Sequence, residues 1–274
     1  MGRYYALRSG ELESVAEAIF EHYLPRFAGD KVPETLPGLA VGLADRLDTL
    51  AGLFAVGLAP TGAKDPFGQR RAALGMVGNL IAWDLDFDLR KALDVAGNHL
   101  SQPMSPESQE NCLDFIVERQ RNLLLESGNR FDVVDAVLST QGHNPSRAVH
   151  AVKALSAWVE RPDWHDILPA YARCVRITRD LEEQFPVDAE RFDELVEAEL
   201  HDSLAAAEAE QRGVGSVDDF LNAFLPMIPT INRFFDQVLV MSEDRMQREN
   251  RLGLLQRIAA LADGVADMSK LEGF

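Results

Sequence analysis

Cysteine is scarce in this 274-residue chain, with only Cys112 and Cys174, 62 positions apart. So few thiols, so widely separated, exclude a disulfide framework and a thiolate zinc site. Long apolar runs are missing too, and none reaches the roughly 18 residues that a membrane span requires. The opening Met1-Gly2-Arg3-Tyr4-Tyr5 lacks the apolar core of a signal peptide, and Ala6 stands where a myristoylation motif needs Ser or Thr. These absences point to the cytoplasm and away from a membrane partner. Positive charge is in short supply: 27 Lys and Arg against 44 Asp and Glu leave a net −17. That excludes a uniformly basic nucleic-acid binder, because phosphate binding rests on Lys and Arg. The 46% hydrophobic and 26% charged composition rules out wholesale disorder, and the length suits one large or two modest domains.

What is present is helical periodicity, almost throughout. Glu11 to Tyr23 spaces Val15, Ala18, Ile19 and Tyr23 along one face, and Leu36 to Val56 does the same with Leu39, Leu43, Leu47, Leu50 and Phe54. Asp65-Pro66, Ser105-Pro106 and Asn144-Pro145 each read as a cap followed by a first-turn proline. The helix after Asp65 is expected to run to about Trp83. The one after Ser105 carries Leu113, Ile116, Val117, Gln120 and Leu124 and stops at Gly128; the one after Asn144 ends before Pro162. Asp188 opens a long acidic helix to about Gly213, Ser216 with Asp219 resembles a capping box, and a last helix covers Glu243 to Ala262. No alternating strand pattern exceeds Val238-Leu239-Val240. The class is all-α. Internal repeats and low-complexity linkers are absent, and the polar, proline-bearing stretch from Gly97 to Glu110 is the expected internal boundary.

Several chemical motifs come close and fail. Gly57-x4-Gly62-Ala63-Lys64 has its lysine one place too late for a phosphate loop and follows a helix, not a strand. Asp84-x-Asp86-x-Asp88 starts like a calcium loop, but Leu89 replaces the required glycine and Val95 the closing glutamate. None of the six histidines forms an HExxH pair, and no serine sits in a GxSxG elbow. His22 at one helix end and Asp45 in the next helix resemble the later metal ligands of HD-type phosphohydrolases, whose usual ending is matched by Ala44, Asp45 and Asp48. The His-Asp doublet of that family is missing there; His165-Asp166 lies in another segment. Two ligands are too few to hold a hydrolytic metal, so the positions read as a vestigial helix pair without its metal, with a metal-dependent phosphohydrolase as the alternative.

Arginines are the remaining candidates. Arg173, Arg176 and Arg179 recur at i, i+3 and i+6, and Arg147, His150 and Lys153 share that spacing on the preceding helix. Side by side, the two helices form either a phosphate-binding patch or a solvated face paired with acids such as Asp163 and Asp180. Arg233, Arg248, Arg251 and Arg257 are weaker candidates of the same kind.

Ordered stretches along the whole chain carry a stronger signal. They are Ala44-Asp45-Arg46-Leu47-Asp48-Thr49-Leu50, Pro60-Thr61-Gly62-Ala63-Lys64-Asp65-Pro66-Phe67 and Arg70-Arg71-Ala72-Ala73-Leu74-Gly75. Further on come Asp114 to Arg119, Asp132 to Leu138, Phe234 to Met241, Asn250 to Leu255 and Asp267 to Leu271. Together they resemble the β subunit of bacterial glycyl-tRNA synthetase. The departures are Ala63 for a usual serine and Gly68 near a usual bulky apolar residue.

The resemblance is to the C-terminal part of a longer chain. It implies an HD-like helical unit over residues 1–100, truncated at its N-terminal side, a connecting helix over 101–126 and an anticodon-binding helical bundle over 127–274. It also implies glycine tRNA and the separate α subunit as partners, in a heterotetramer. The α subunit performs the aminoacylation, with ATP and Mg used by the whole synthetase and no cofactor or catalytic residue in this part. Backbone contacts to tRNA would fall to Arg147, Lys153, Arg173, Arg176 and Arg179, with Arg233 and Arg251 behind them. A pure assembly module whose acidic helix docks a partner protein is a third possibility. Charge distribution is compatible with RNA binding: Glu182 to Leu221 holds 13 acids and 2 bases, whereas Thr140 to Arg179 holds 6 bases and 3 acids. The acidic stretch would then repel RNA from one face and steer it toward the other.

Overall fold

The structure, a computed structural model, describes residues 1–27, 29–60 and 64–274, and every regular element among them is a helix. Met1–Gly128 with Gly142–Val149 form one unit; Asn129–Gln141 with His150–Phe274 form the other.

In the first unit, α1 (Gly2–Arg8) and α2 (Glu13–Glu21) precede α3 (Leu36–Ala55). The Thr35 hydroxyl caps α3 by accepting from the Gly38 N–H at 3.2 Å, and Pro37 sits in the first turn. The expected stripe from Leu39 to Phe54 is buried. On α2 the expected inner face holds at Ala18 and in part at Ile19 and fails at its two ends. Ala16, Ala18 and Glu21 are buried, whereas Val15 and Tyr23 are exposed. Small alanines let α2 lie close to its neighbours, and the Glu21 carboxylate turns inward to accept from the Glu34 N–H at 2.9 Å and from the Thr35 N–H and hydroxyl. The next helix, α4 (Gln69–Ala82), starts three residues later than its cap signal suggests, because Gly68 takes a left-handed φ of 69° before it. Asp65 still caps from a distance, accepting from the Gln69 and Arg70 N–H groups at 2.8 and 2.9 Å.

After α5 (Leu89–His99) comes α6 (Pro106–Glu126), capped by Ser105 as expected and stopped at Gly128, whose φ is 88°. Cys112, Phe115 and Ile116 of α6 are part of the same buried cluster as Leu50, Phe54, Met76 and Leu80. Thus α6 belongs to the core of the first unit and is not a free-standing connector.

The chain enters the second unit with α7 (Phe131–Gln141), and α8 (Pro145–Val159) begins in the first unit and continues into the second. There follow α9 (Trp164–Thr178), α10 (Leu195–Ala209), α11 (Val217–Phe224), α12 (Ile228–Gln237) and α13 (Arg245–Ala260). Phe220, Phe224 and Phe234 are fully buried. Tyr171 of α9 meets Phe220 and Phe224 edge-on, each at 5.6 Å, and its hydroxyl donates to the Ala259 carbonyl at 2.7 Å.

The acidic segment is not one helix. A single 3-10 turn, Ala189–Arg191, is separated from α10 by Phe192 to Glu194. Glu197 makes the break by folding its carboxylate back to accept from the Asp193 and Glu194 N–H groups at 2.9 and 2.8 Å. Upstream, α13 clamps the incoming strand of chain. Asn250 exchanges two hydrogen bonds with the Asp188 backbone, and Gln256 accepts from the Phe185 N–H and donates to the Glu183 carbonyl. Between them Gly253 admits the chain itself: a Cβ there would lie 2.4 Å from the Phe185 carbonyl oxygen. Gly253→Ala is therefore expected to cost about 3 kcal/mol, the upper end for overpacking, because backbone must move. A urea unfolding midpoint near that of the parent would refute this close approach.

Candidate nucleic-acid interface

The helical pattern of α9 places Arg173, Arg176 and Arg179 along one side of the helix, and all three reach solvent. Arg173 lies over the Phe235 ring of α12 at 4.4 Å, and its Nη1 donates to the Asn232 side-chain oxygen at 3.4 Å. Arg176 lies over the Phe274 ring at 5.5 Å. Neither has a carboxylate partner among the described residues. Arg179 approaches Asp180 at 3.8 Å, but side chains 58% and 89% exposed form a pair too wet to neutralise it. Arg179 also stands at the edge of a cavity of about 630 Å³ between α9 and α13, where burial raises the carboxyl pKa of Asp263. Lys153 of α8 is exposed in the same unit.

The other candidates are spoken for. Arg147 falls in the first unit, where it donates to Asp86 at 2.7 Å. Arg233 pairs with Glu199 at 2.7 Å. Arg251 is the clearest correction: it is buried, donating from Nε to Glu197 at 2.7 Å and from Nη1 to the Leu239 carbonyl at 3.0 Å, so it cannot meet a phosphate. Arg248 donates to the Ser242 carbonyl, and Arg257 pairs with Glu208. The acids of α10 thus serve largely as partners for the arginines of α12 and α13: Glu197, Glu199 and Glu208 take Arg251, Arg233 and Arg257.

The metal positions do not assemble either. Asp45 is exposed on α3, and its neighbour Arg46 is the side chain that turns inward. Arg46 donates to the carbonyls of His22, Leu24 and Gly42, each at 2.8 Å. His22 is half-buried and its Nδ1 has no hydrogen-bond partner. Among the described residues no three His, Cys, Asp or Glu side chains converge as a metal site. The aspartates of the calcium-like loop are likewise turned to separate partners. Asp84 accepts from Ser146, Asp86 from Asn144 and Arg147, and Asp88 caps α5 through the Arg90 N–H. In the phosphate-loop-like stretch, Gly62 and Ala63 lie outside the described residues.

Asn232, Phe235 and Phe274 were not foreseen as site residues. The available signal was the adjacent pair Phe234-Phe235: two neighbours on a helix point about 100° apart, so one phenylalanine must leave the core. Phe234 is fully buried and Phe235 is the one at the surface.

The family model for the glycyl-tRNA synthetase beta subunit matches residues 1–139, half of the chain. The chain belongs to that family. Among curated relatives, the glycine–tRNA ligase beta subunit of Moorella thermoacetica is 38% identical over 281 residues, covering 99% of this chain and 40% of the relative. That of Aromatoleum aromaticum is 40% identical over 277 residues with the same coverage. The Arabidopsis thaliana glycine–tRNA ligase, chloroplastic/mitochondrial 2, is 34% identical over 276 residues, 26% of its own length. This member of the glycyl-tRNA synthetase beta family therefore spans about 40% of the length of the bacterial relatives it matches. Two of the stretches that carried the resemblance are structural: Arg46 braces carbonyls in the first unit, and Asn250 to Gly253 clamps the segment before α10. No helix among the described residues is long and apolar enough to cross a membrane.

Proposed function

We propose that this chain is the tRNA-holding part of a glycyl-tRNA synthetase beta subunit, that it acts in the cytoplasm, and that it performs no chemistry itself. Its second unit is read as an anticodon-binding bundle and its first as an HD-like helical unit without the metal. Assignment to the C-terminal part of the longer family chain rests on the motif resemblance alone; the alignment lengths give its share of the relatives. The partners are glycine tRNA and an α subunit, joined as a heterotetramer, with ATP and Mg used at the α subunit. Names of the relatives support the synthetase role. The observation that carries RNA binding is local: in a chain with 44 acids and 27 bases, Arg173 and Arg176 stand on one helix face with no carboxylate partner among the described residues. Each instead rests on an aromatic ring, an arrangement suited to phosphates and unpaired bases. The α10 acids, engaged with neighbouring arginines, give the protein-docking alternative no comparable support.

The test is a titration of the full chain with glycine tRNA and a second tRNA at two salt concentrations. The double variant Arg173→Glu/Arg176→Glu is expected to bind glycine tRNA more weakly and with a log–log salt slope smaller by roughly 1.5, the loss of two phosphate contacts. Unchanged affinity and slope would remove α9 from the interface.

A further inference from the structure

We infer that Arg173, Phe235 and Asn232 form a platform for one unpaired nucleobase, a contact that deepens the RNA-binding reading above and rests on it. The surface phenylalanine is fixed first. Phe235 meets the buried Phe234 edge-on at 5.6 Å and 83°, so its ring is anchored by the core while part of the residue stays accessible. The Arg173 guanidinium covers this ring at 4.4 Å, making a cationic plane backed by an aromatic one. Asn232, exposed one helical turn before Phe235, accepts from Arg173 through its side-chain oxygen. That bond restrains the guanidinium and leaves the amide N–H groups as donors for a base edge.

A stacked plane of this kind suits a nucleobase better than a bare phosphate. A phosphate needs only charge, which a lysine would supply; a base needs a flat surface with a polar reader at its rim. A carboxylate-bearing ligand would also be drawn to the charge but would gain nothing from the ring. In a duplex the bases are already stacked on one another, so the platform selects single-stranded RNA.

Fluorescence titration of the full chain decides the matter, using the anticodon stem–loop of glycine tRNA and the same stem closed as a blunt duplex. Phe235→Leu keeps an apolar side chain and removes the ring; Arg173→Lys keeps the charge and removes the plane. Both are expected to weaken stem–loop binding roughly tenfold, the scale of one lost base stack, with duplex affinity and salt slope within about twofold of the parent. Phe235→Tyr is expected to retain parent affinity. Parent-like stem–loop affinity in both Phe235→Leu and Arg173→Lys would overturn the platform while leaving RNA binding intact. Equal losses for stem–loop and duplex, with a lowered Tm, would also overturn it, since the pair would then only join α9 to α12. Failure of the parent chain to bind either RNA would instead overturn the underlying RNA-binding reading, and the platform with it.

Discussion

Arg251→Met is expected to lower the stability of the second unit by about 3–5 kcal/mol, the scale for breaking a buried ion pair from one side. The Arg251 and Glu197 side chains are 8% and 3% exposed, so neither charge can turn to water when the other is lost. Methionine fills much of the volume, which removes a cavity as the cause. What remains is a buried carboxylate oxygen without its guanidinium and a Leu239 carbonyl without its donor. Glu197 keeps its two backbone N–H donors at the start of α10, so the damage should concentrate there and at the segment clamped by α13. Urea unfolding followed by hydrogen exchange on α10 measures both. The companion change Glu197→Gln, which removes the stranded charge, should recover part of the loss in the double variant. A variant with parent stability and weakened tRNA binding would return Arg251 to the interface.

Arg46→Ala is expected to be nearly as costly, about 3–5 kcal/mol, through a different mechanism. Among the described residues no carboxylate accepts from this guanidinium; it donates to the three carbonyls of His22, Leu24 and Gly42. Each carbonyl left unpaired in a buried place costs about 1–3 kcal/mol, and the truncated side chain leaves a void besides. The surroundings are built to its shape. A Cβ at Gly42 would come within 2.9 Å of Arg46 Nη1, and one at Gly75 within 3.0 Å of its Nε. Asn79 supports the same turn by donating to the Leu24 carbonyl at 3.1 Å. Burial pushes the Arg46 pKa down, yet a guanidinium stays charged through the physiological range and keeps all its donors. Arg46→Lys should recover only part of the loss, because an ammonium cannot reach three carbonyls in the plane of the fork. Denaturant midpoints for the two variants check the ranking; equal stability of Arg46→Lys and the parent would show that charge, not the fork, is what the site uses.

These two arginines explain why the interface was only partly legible in the sequence. Arg46, Arg147, Arg173 and Arg251 look alike as letters, and helical spacing reports which residues share a helix face. It does not report what lies opposite that face. Arg251 meets an acid 54 positions away and Arg46 a carbonyl 24 positions away, separations that carry no periodic signal. The same limit explains α2, where inward-turning Glu21 and Ala16 take the places expected for Val15 and Tyr23 beside a correctly placed Ala18, and the acidic segment, where Glu197 folds back at a break in what periodicity reads as one helix. The platform was missed for a related reason: Phe235 was visible as part of a motif, but its meeting with Arg173, 62 positions earlier, was not.

Residue order alone determined the all-α class, the helix starts at Leu36, Ser105-Pro106 and Asn144-Pro145, the buried stripe of α3 and the glycyl-tRNA synthetase beta resemblance. Each of these depends on neighbours within one or two helical turns, or on a string of letters matched in order. Tertiary structure decided how the chain divides, with 129–141 in one unit and 142–149 in the other, and it decided which charges remain for a ligand. An arginine's availability is set by the helix packed against it, and a total of −17 says nothing about which acids are already paired. That is why an acidic chain can keep Arg173 and Arg176 exposed on α9 while burying Arg251 on α13, a helix packed directly against it.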